Sequence, residues 1–280
     1  MATQLVHLPE VERLSPACVR ILGGNPGKLH LQGTNTYLLG TGPKRLLIDT
    51  GEGKPSWQAA VKRVLDEEKA TVQAALLTHW HPDHVQGVSQ LLELVSDAAV
   101  YKCAPGPGQL NIVDGQVFTV DGATLTAVHT PGHTTDHMVF VFREEDALFT
   151  GDNVLGHGTA IFEDLGIYLG SLAKMEKLVS GCAYPGHGPV LPRARDKIAE
   201  YISHRHQREV QVIDTLGSAQ APSGAWTPME LVKIIYRDVP EELHVPASYG
   251  VIQILKKLLA EDKVVLEEEG KWRLKERPAL

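Results

Sequence analysis

Short apolar runs closed by polar, glycine-rich turns recur through the first two thirds of the chain. CVRILGG (18–24), TYLLG (36–40) and RLLIDTG (45–51) read as strands, because brief apolar stretches between turn signals fit buried β-structure. Between the first two lies the turn-rich connection NPGKLHLQGTN. From Ser56 to Lys69 the period lengthens. Ala60, Val61, Val64 and Leu65 fall at helical intervals, with Ser56 placed as the N-cap. A buried strand is predicted at 74–77, then a helix from about Gln86 to Val95 and a short strand at 98–102. After the CAPGPGQ connector (103–109), QVFTV, TLTAVHT, HMVFVF and DALFTGD continue the alternation of strand and turn.

Helical spacing then dominates. Helices are predicted over 168–179 and 192–216, the second with many charges on its outer face. GSAQAPSGA (217–225) is small and poor in apolar residues, and so reads as a linker. Beyond it Thr227 is an N-cap, Pro228 takes the first helical position, and Glu230 stands three residues after the cap. A second helix is predicted over 247–260, with its stripe at Val251, Ile254, Leu255 and Leu258, and KVVLEEEGKWRL reads as a hairpin. The expected organisation is a domain at 1–216, a linker at 217–226 and a small winged-helix-like unit at 227–280.

The chemistry collects where apolar runs stop. ALLTH ends in His79, LTAVHTPGH leads to His133, DALFTGD ends in Asp152 and CAYPGH ends in His187. In open α/β sheets the carboxyl ends of strands gather ligands, so these four ends are expected to converge. The densest stretch is THWHPDH (78–84). His79 and His81 share a face of extended chain, while Pro82 opens a helix whose first turn carries Asp83 and His84. Imidazole and carboxylate are the ligand types of a borderline cation such as Zn²⁺.

Composition narrows the setting. With 43% hydrophobic and 22% charged residues the chain has the make-up of an ordinary globular protein. A net charge of −7 opposes a nucleic acid spread over the whole surface. Cys18, Cys103 and Cys182 form no CxxC pair or disulfide framework, which suits a reducing compartment. The N-terminus lacks a basic start followed by an apolar stretch, and no run reaches the length of a membrane span. A cytoplasmic location is expected.

THWHPDH, PGH (131–133), GD (151–152) and PGHG (185–188) together resemble the metallo-β-lactamase-fold hydrolases across about residues 18–205. The resemblance implies an αββα sandwich with a site for two Zn²⁺ ions at one edge, beside the small C-terminal unit. It implies that His79, His81 and His133 hold one metal, that Asp83, His84 and His187 hold the other, and that Asp152 bridges them. Every position of the two-metal pattern is filled. Such a pair of ions generates a hydroxide near neutral pH and stabilises the oxyanion, so hydrolysis without a covalent acyl-enzyme is expected. Asp83 would also orient the hydroxide.

NPGKLHLQGTNTYLLGTG (25–42), LIDTGE (47–52) and GDNVLGHGTAIFEDLGIYLGSL (151–172) are similar to the lactamase-β-2-like branch, as is MELVKIIYRDVPEELH near the C-terminus. The branch implies either a thioesterase that releases a polyketide from its acyl carrier protein in fungal aromatic pathways or a single-strand endoribonuclease. RNA cleavage calls for an electropositive track and stacked aromatics. The chain is acidic with 6% aromatics, and basic and acidic residues nearly balance in its last segment. Thioester hydrolysis is therefore favoured, with RNA or another thioester or lactone as the alternative substrate.

Other residues carry open readings. His157 is a candidate proton donor or a plain loop histidine. Asn35 and Tyr37 are expected to contact substrate, although Tyr37 also suits a core. Asp49 is either a support for the metal-binding loops or a turn former, and Asp136 and His137 are placed to support His133, although His137 equally suits the start of the next strand. His204 and His206 read as surface residues, and His7, His30 and His244 are given no role.

Overall fold

Parallel pairing explains why the strand before the histidine motif is so apolar. In the computed structural model, which describes residues 5–218 and 224–275, this strand is covered on both faces. The centre of the expected linker, 219–223, lies outside the described residues, as do 1–4 and 276–280 of the two expected domains.

The first sheet contains β1 (Val11–Ser15), β2 (Cys18–Leu22), β3 (Asn35–Leu39), β4 (Lys44–Ile48), β5 (Thr71–Leu77), β6 (Ala99–Lys102) and β7 (Leu110–Asn111), in that order. β1 to β4 pair antiparallel, and from β4 onward the pairing is parallel. The second sheet contains β8 (Val117–Val120), β9 (Ala123–His129), β10 (Met138–Phe142), β11 (Ala147–Gly151) and β12 (Ala183–Pro185), in the order β12-β11-β10-β9-β8. Leu39, Leu46 and Leu76 from one sheet and Leu125, Phe140 and Phe149 from the other fill the space between them. Each such side chain contributes about 1.5–3 kcal/mol by leaving water.

Helices cover both outer faces, giving the expected αββα layers. α1 (Pro55–Glu68) lays Trp57, Val61 and Val64 on Leu47, Ala75 and Leu77 of the first sheet. Its N-cap is Lys54 rather than Ser56, because Pro55 supplies a fixed φ suited to the first helical position. The helix that Pro82 opens is the short α2 (Pro82–Val85), and the one expected from about 86 to 95 is α3 (Val88–Leu94). Gly87 separates them. Its N–H donates to Gly51 O, and a Cβ there would lie 1.8 Å from Thr50 O. On the other face lie α4 (Leu165–Met175) and α5 (Ala194–Leu216). α4 starts earlier than predicted because the Asp164 side chain caps Ile167 N.

The C-terminal unit comprises α6 (Pro228–Ile235), α7 (His244–Ala260) and the hairpin β13 (Val264–Leu266) with β14 (Trp272–Leu274). The capping box between Thr227 and Glu230 is formed as the sequence predicts. Leu231, Val251, Leu255 and Trp272 share one apolar cluster with Ile198 and Val212 of α5. Lys257 Nζ of α7 lies 2.8 Å from the buried Glu209 of α5. No described helix is long and apolar enough to cross a membrane.

Candidate metal centre

Four chain segments deliver seven histidine and aspartate side chains to one edge of the sandwich. β5 carries Thr78 and His79 out of the first sheet, where Thr78 O accepts from Met138 N of the second. His81 is the N-cap of α2, so Asp83 and His84 fall on its first turn and are buried. The β9–β10 connection supplies His133, the end of β11 supplies Asp152, and the turn after β12 supplies His187. The last two segments lie so close that a Cβ on Gly186 would approach Asp152 Oδ1 to 2.4 Å.

The seven form two adjoining groups. One ligand atom each from His79, His81, His133 and Asp152 lie within 4.8 Å of one another, and the same holds for Asp83, His84 and His187. His81 Nδ1 lies 2.9 Å from His79 Nε2 and 3.1 Å from His133 Nε2. Asp152 reaches both groups, 3.7 Å from His133 Nε2 and 3.4 Å from His187 Nε2. The donor set fits metal ions. Three imidazole nitrogens facing one point cannot all be satisfied by protons, and His84 Nε2 and Asp152 Oδ1 are buried without a hydrogen-bond partner. Nitrogen and carboxylate oxygen ligands supply what a divalent cation takes.

Electrostatics divide along the same line. Burial, and then His84, holds His79 well below the usual histidine range. Burial, and then His133, brings His81 down to about 4. These rings are neutral, with lone pairs available. Burial acts against the charged forms of His84 and His187 as well, but neighbouring carboxylates outweigh it. Asp49 and Asp152 hold His84 well above its normal range, and Asp152 and Asp83 raise His187 to about 9. For Asp83 and Asp152, burial favours the neutral acid and is overcome by His187 and His84, so both stay ionised.

Outside the ligand atoms, a hydrogen-bonded layer fixes ring orientation. His84 Nδ1 donates to Asp49 Oδ2 at 2.7 Å, while Asp49 Oδ1 accepts from Thr78 N. Of the two readings of Asp49, the structure shows support of the motif. His133 Nδ1 donates to Ile161 O at 2.7 Å, which directs Nε2 into the cluster. Thr34 Oγ1 donates to Asp83 Oδ2 at 2.8 Å, and His137 Nε2 accepts from Asp152 N at 3.1 Å. Asp136 pairs with the buried Lys102, tying the His133 turn to the end of β6.

A cleft of about 570 Å³ opens over the cluster, lined in part by His81, Asp83, His133, Asp152 and His187. His157 lies half-buried on its wall. Asn35 and Tyr37 are not brought there, contrary to the expected substrate contact. Both are buried, and both bind the turn that carries His187: Asn35 Nδ2 donates to Pro185 O and Gly188 O, and Tyr37 Oη donates to Pro185 O. They sit on β3, whose neighbouring strands and facing sheet enclose both side chains. His30, given no role in the sequence, stands on the cleft wall with its ring stacked on His187 at 5.7 Å. Only chain return places it there; the one local signal was its position in a glycine-rich loop. His206 is exposed as expected and His204 half-buried, whereas His244 bonds Tyr236 O and Val239 O.

An αββα sandwich with a histidine and aspartate cluster at one edge defines a metal-dependent hydrolase. The chain belongs to the metallo-beta-lactamase superfamily, whose sequence model matches residues 31–102 and 96–187. A beta-lactamase associated winged helix domain matches residues 227–272. The chain is 46% identical to an atrochrysone carboxyl ACP thioesterase of Aspergillus chevalieri, over 96% of this chain and 89% of that protein. It is 45% identical to the lactamase-like protein aptB of Emericella nidulans, over 96% of this chain and 91% of the relative. Among solved structures, a beta-lactamase domain protein from Burkholderia ambifaria superposes with a TM-score of 0.80 at 17% identity, covering 95% of this chain and 93% of the other. A metallo-beta-lactamase family protein from Thermus thermophilus gives 0.74 at 22% identity, covering 94% and 100%. These two likenesses concern the fold.

Proposed function

We propose that the protein is a thioesterase that hydrolyses an acyl group, of polyketide type, from an acyl carrier protein. The observation that carries this reading is the composition of the cleft. Leu29, Leu31, Leu155, Ile161 and Phe162 give it an apolar wall, and Lys28 is the only lysine or arginine among its described lining residues. An acyl chain fits such a wall, whereas an RNA backbone calls for several cations. The names of relatives at 46–47% identity, atrochrysone carboxyl ACP thioesterases, support the same substrate class.

In this reading His79, His81 and His133 would hold one Zn²⁺ and Asp83, His84 and His187 a second, with Asp152 placed within reach of both groups. When bound, the ions supply a water acidified to near neutral pKa and a Lewis acid for the carbonyl oxygen. Asp83, kept ionised, orients the attacking water and takes its proton. The water oxygen bonds to the thioester carbon, the carbon–sulfur bond breaks, and His157 returns a proton to the departing sulfur. Acid and thiol are the products. Asn35 and Tyr37 act by holding the His187 turn.

Residues 1–216 are the proposed catalytic domain, 217–226 the connection, and 227–280 a buttress, since no described residue after 218 lines the cleft. Three free cysteines fit the proposed cytoplasmic location.

A paired assay tests the reading. Zinc-loaded protein and its Asp83→Ala variant receive either an acyl thioester on a carrier protein or single-stranded RNA of mixed sequence. Free acid released by the parent alone, with RNA intact, is the expected result. RNA cut by the parent and not by the variant, with the thioester untouched, makes the protein an endoribonuclease.

A further inference from the structure

The wall of the cleft between β11 and α4 has no regular secondary structure over residues 155–163, so its backbone groups need partners elsewhere. α5 provides them. Tyr201 Oη accepts from Leu155 N at 3.1 Å and donates to Gly158 O at 2.9 Å. One turn further along, Arg205 Nη2 donates to Ala160 O at 2.7 Å, and its guanidinium carbon stands 4.7 Å from the centre of the Phe162 ring. Tyr168 stacks on the same ring at 5.3 Å with 14° between the planes, and its own ring centre lies 5.9 Å from the guanidinium carbon. Arg205 therefore grips residues 160 and 162 and brackets Ile161. The Ile161 side chain is 67% exposed at the cleft, and its carbonyl accepts from His133 Nδ1.

We infer that Arg205, which is no part of the cluster, is a positioning residue that acts through Ile161 on both the acyl-binding wall and the orientation of His133. The inference rests on the proposed metal role of His133. A planar guanidinium is suited to the task because one group both donates and stacks. Lysine at 205 keeps a donor and loses the stacking plane. Partners that orient a metal-bound histidine typically change metal affinity by about 10–100-fold when removed.

The test compares the parent with Arg205→Ala, Arg205→Lys and Arg208→Ala. Arg208, next along α5, stacks on Tyr236 of the C-terminal unit and serves as a control for damage to the helix. Zinc retention is measured by competition with a chromophoric chelator, and KM and kcat are measured with the acyl thioester on its carrier protein. Arg205→Ala is expected to weaken zinc retention about tenfold and to raise KM more than it lowers kcat. Arg205→Lys should recover part of both, and Arg208→Ala should match the parent. Should the alanine variant not fold, the lysine variant carries the same test. Parent-like chelator competition and KM in a folded Arg205 variant would overturn the inference, as would an equal change in Arg208→Ala. A parent that retains no divalent cation overturns the metal reading itself, and this inference with it.

Discussion

The metal edge and the C-terminal unit are built by opposite means. At the edge, buried polar side chains are held by other polar groups: His84 by Asp49, His133 by the Ile161 carbonyl, Asp83 by Thr34. The C-terminal unit is held mainly by apolar packing of Leu231, Val251, Leu255 and Trp272 against α5, with the Lys257–Glu209 pair beside it. The edge buries groups that cost free energy unless each finds a partner. The unit gains free energy from burial, and none of its described residues lines the cleft. Chemistry and stability should therefore separate under mutation.

The sharpest contrast is between Asp83 and Leu255. Asp83→Ala should lower the rate of thioester hydrolysis by about 10²–10⁴-fold, with the circular dichroism spectrum unchanged. Leu255, fully buried, should behave inversely. Leu255→Ala should cost about 2–5 kcal/mol in denaturant unfolding while kcat per folded molecule stays near that of the parent. Loss of kcat in the folded Leu255 variant would show that the unit shapes the active site directly and would break the comparison.

How far this contrast was legible in the sequence depends on the range of the contacts behind it. THWHPDH is a local pattern, and its strand-then-helix setting appears in the structure as predicted, apart from the break at Gly87. The capping box at Thr227 is equally local. The convergence of His133, Asp152 and His187 followed from their positions at strand ends. His30, the Arg205 grip on residues 160–162 and the inward burial of Asn35 and Tyr37 were not legible, because each depends on chain segments that meet only in three dimensions. Asn35 and Tyr37 are pinned to Pro185, far along the chain. Asp49 stood between two readings until its bond to His84 was visible.

Two smaller effects sharpen the picture of the edge. Asp49→Asn keeps the shape of the side chain and removes the carboxylate that His84 faces, so zinc affinity should fall about 10–100-fold in chelator competition. An unchanged affinity would reduce Asp49 to a turn former. The pH dependence of metal binding follows from the raised histidines. His84 lies well above its usual range and His187 near 9, so both carry protons at neutral pH in the metal-free protein. A ligating ring must be neutral, and a proton therefore competes with the metal below the folded pKa. Affinity should rise with pH at least through about 9, where His187 loses its proton, with at least about one proton released per molecule loaded at pH 7.5. Calorimetry in buffers of different ionisation enthalpy measures that number. Release of none would mean the two rings are already neutral.

The most direct measurement is a titration of chelator-stripped protein with Zn²⁺, reading hydrolysis of a carrier-bound acyl thioester at each addition. The account predicts no activity in the stripped protein and a rise that saturates at about two equivalents, as a two-metal hydrolase requires. Full activity without added metal would contradict it.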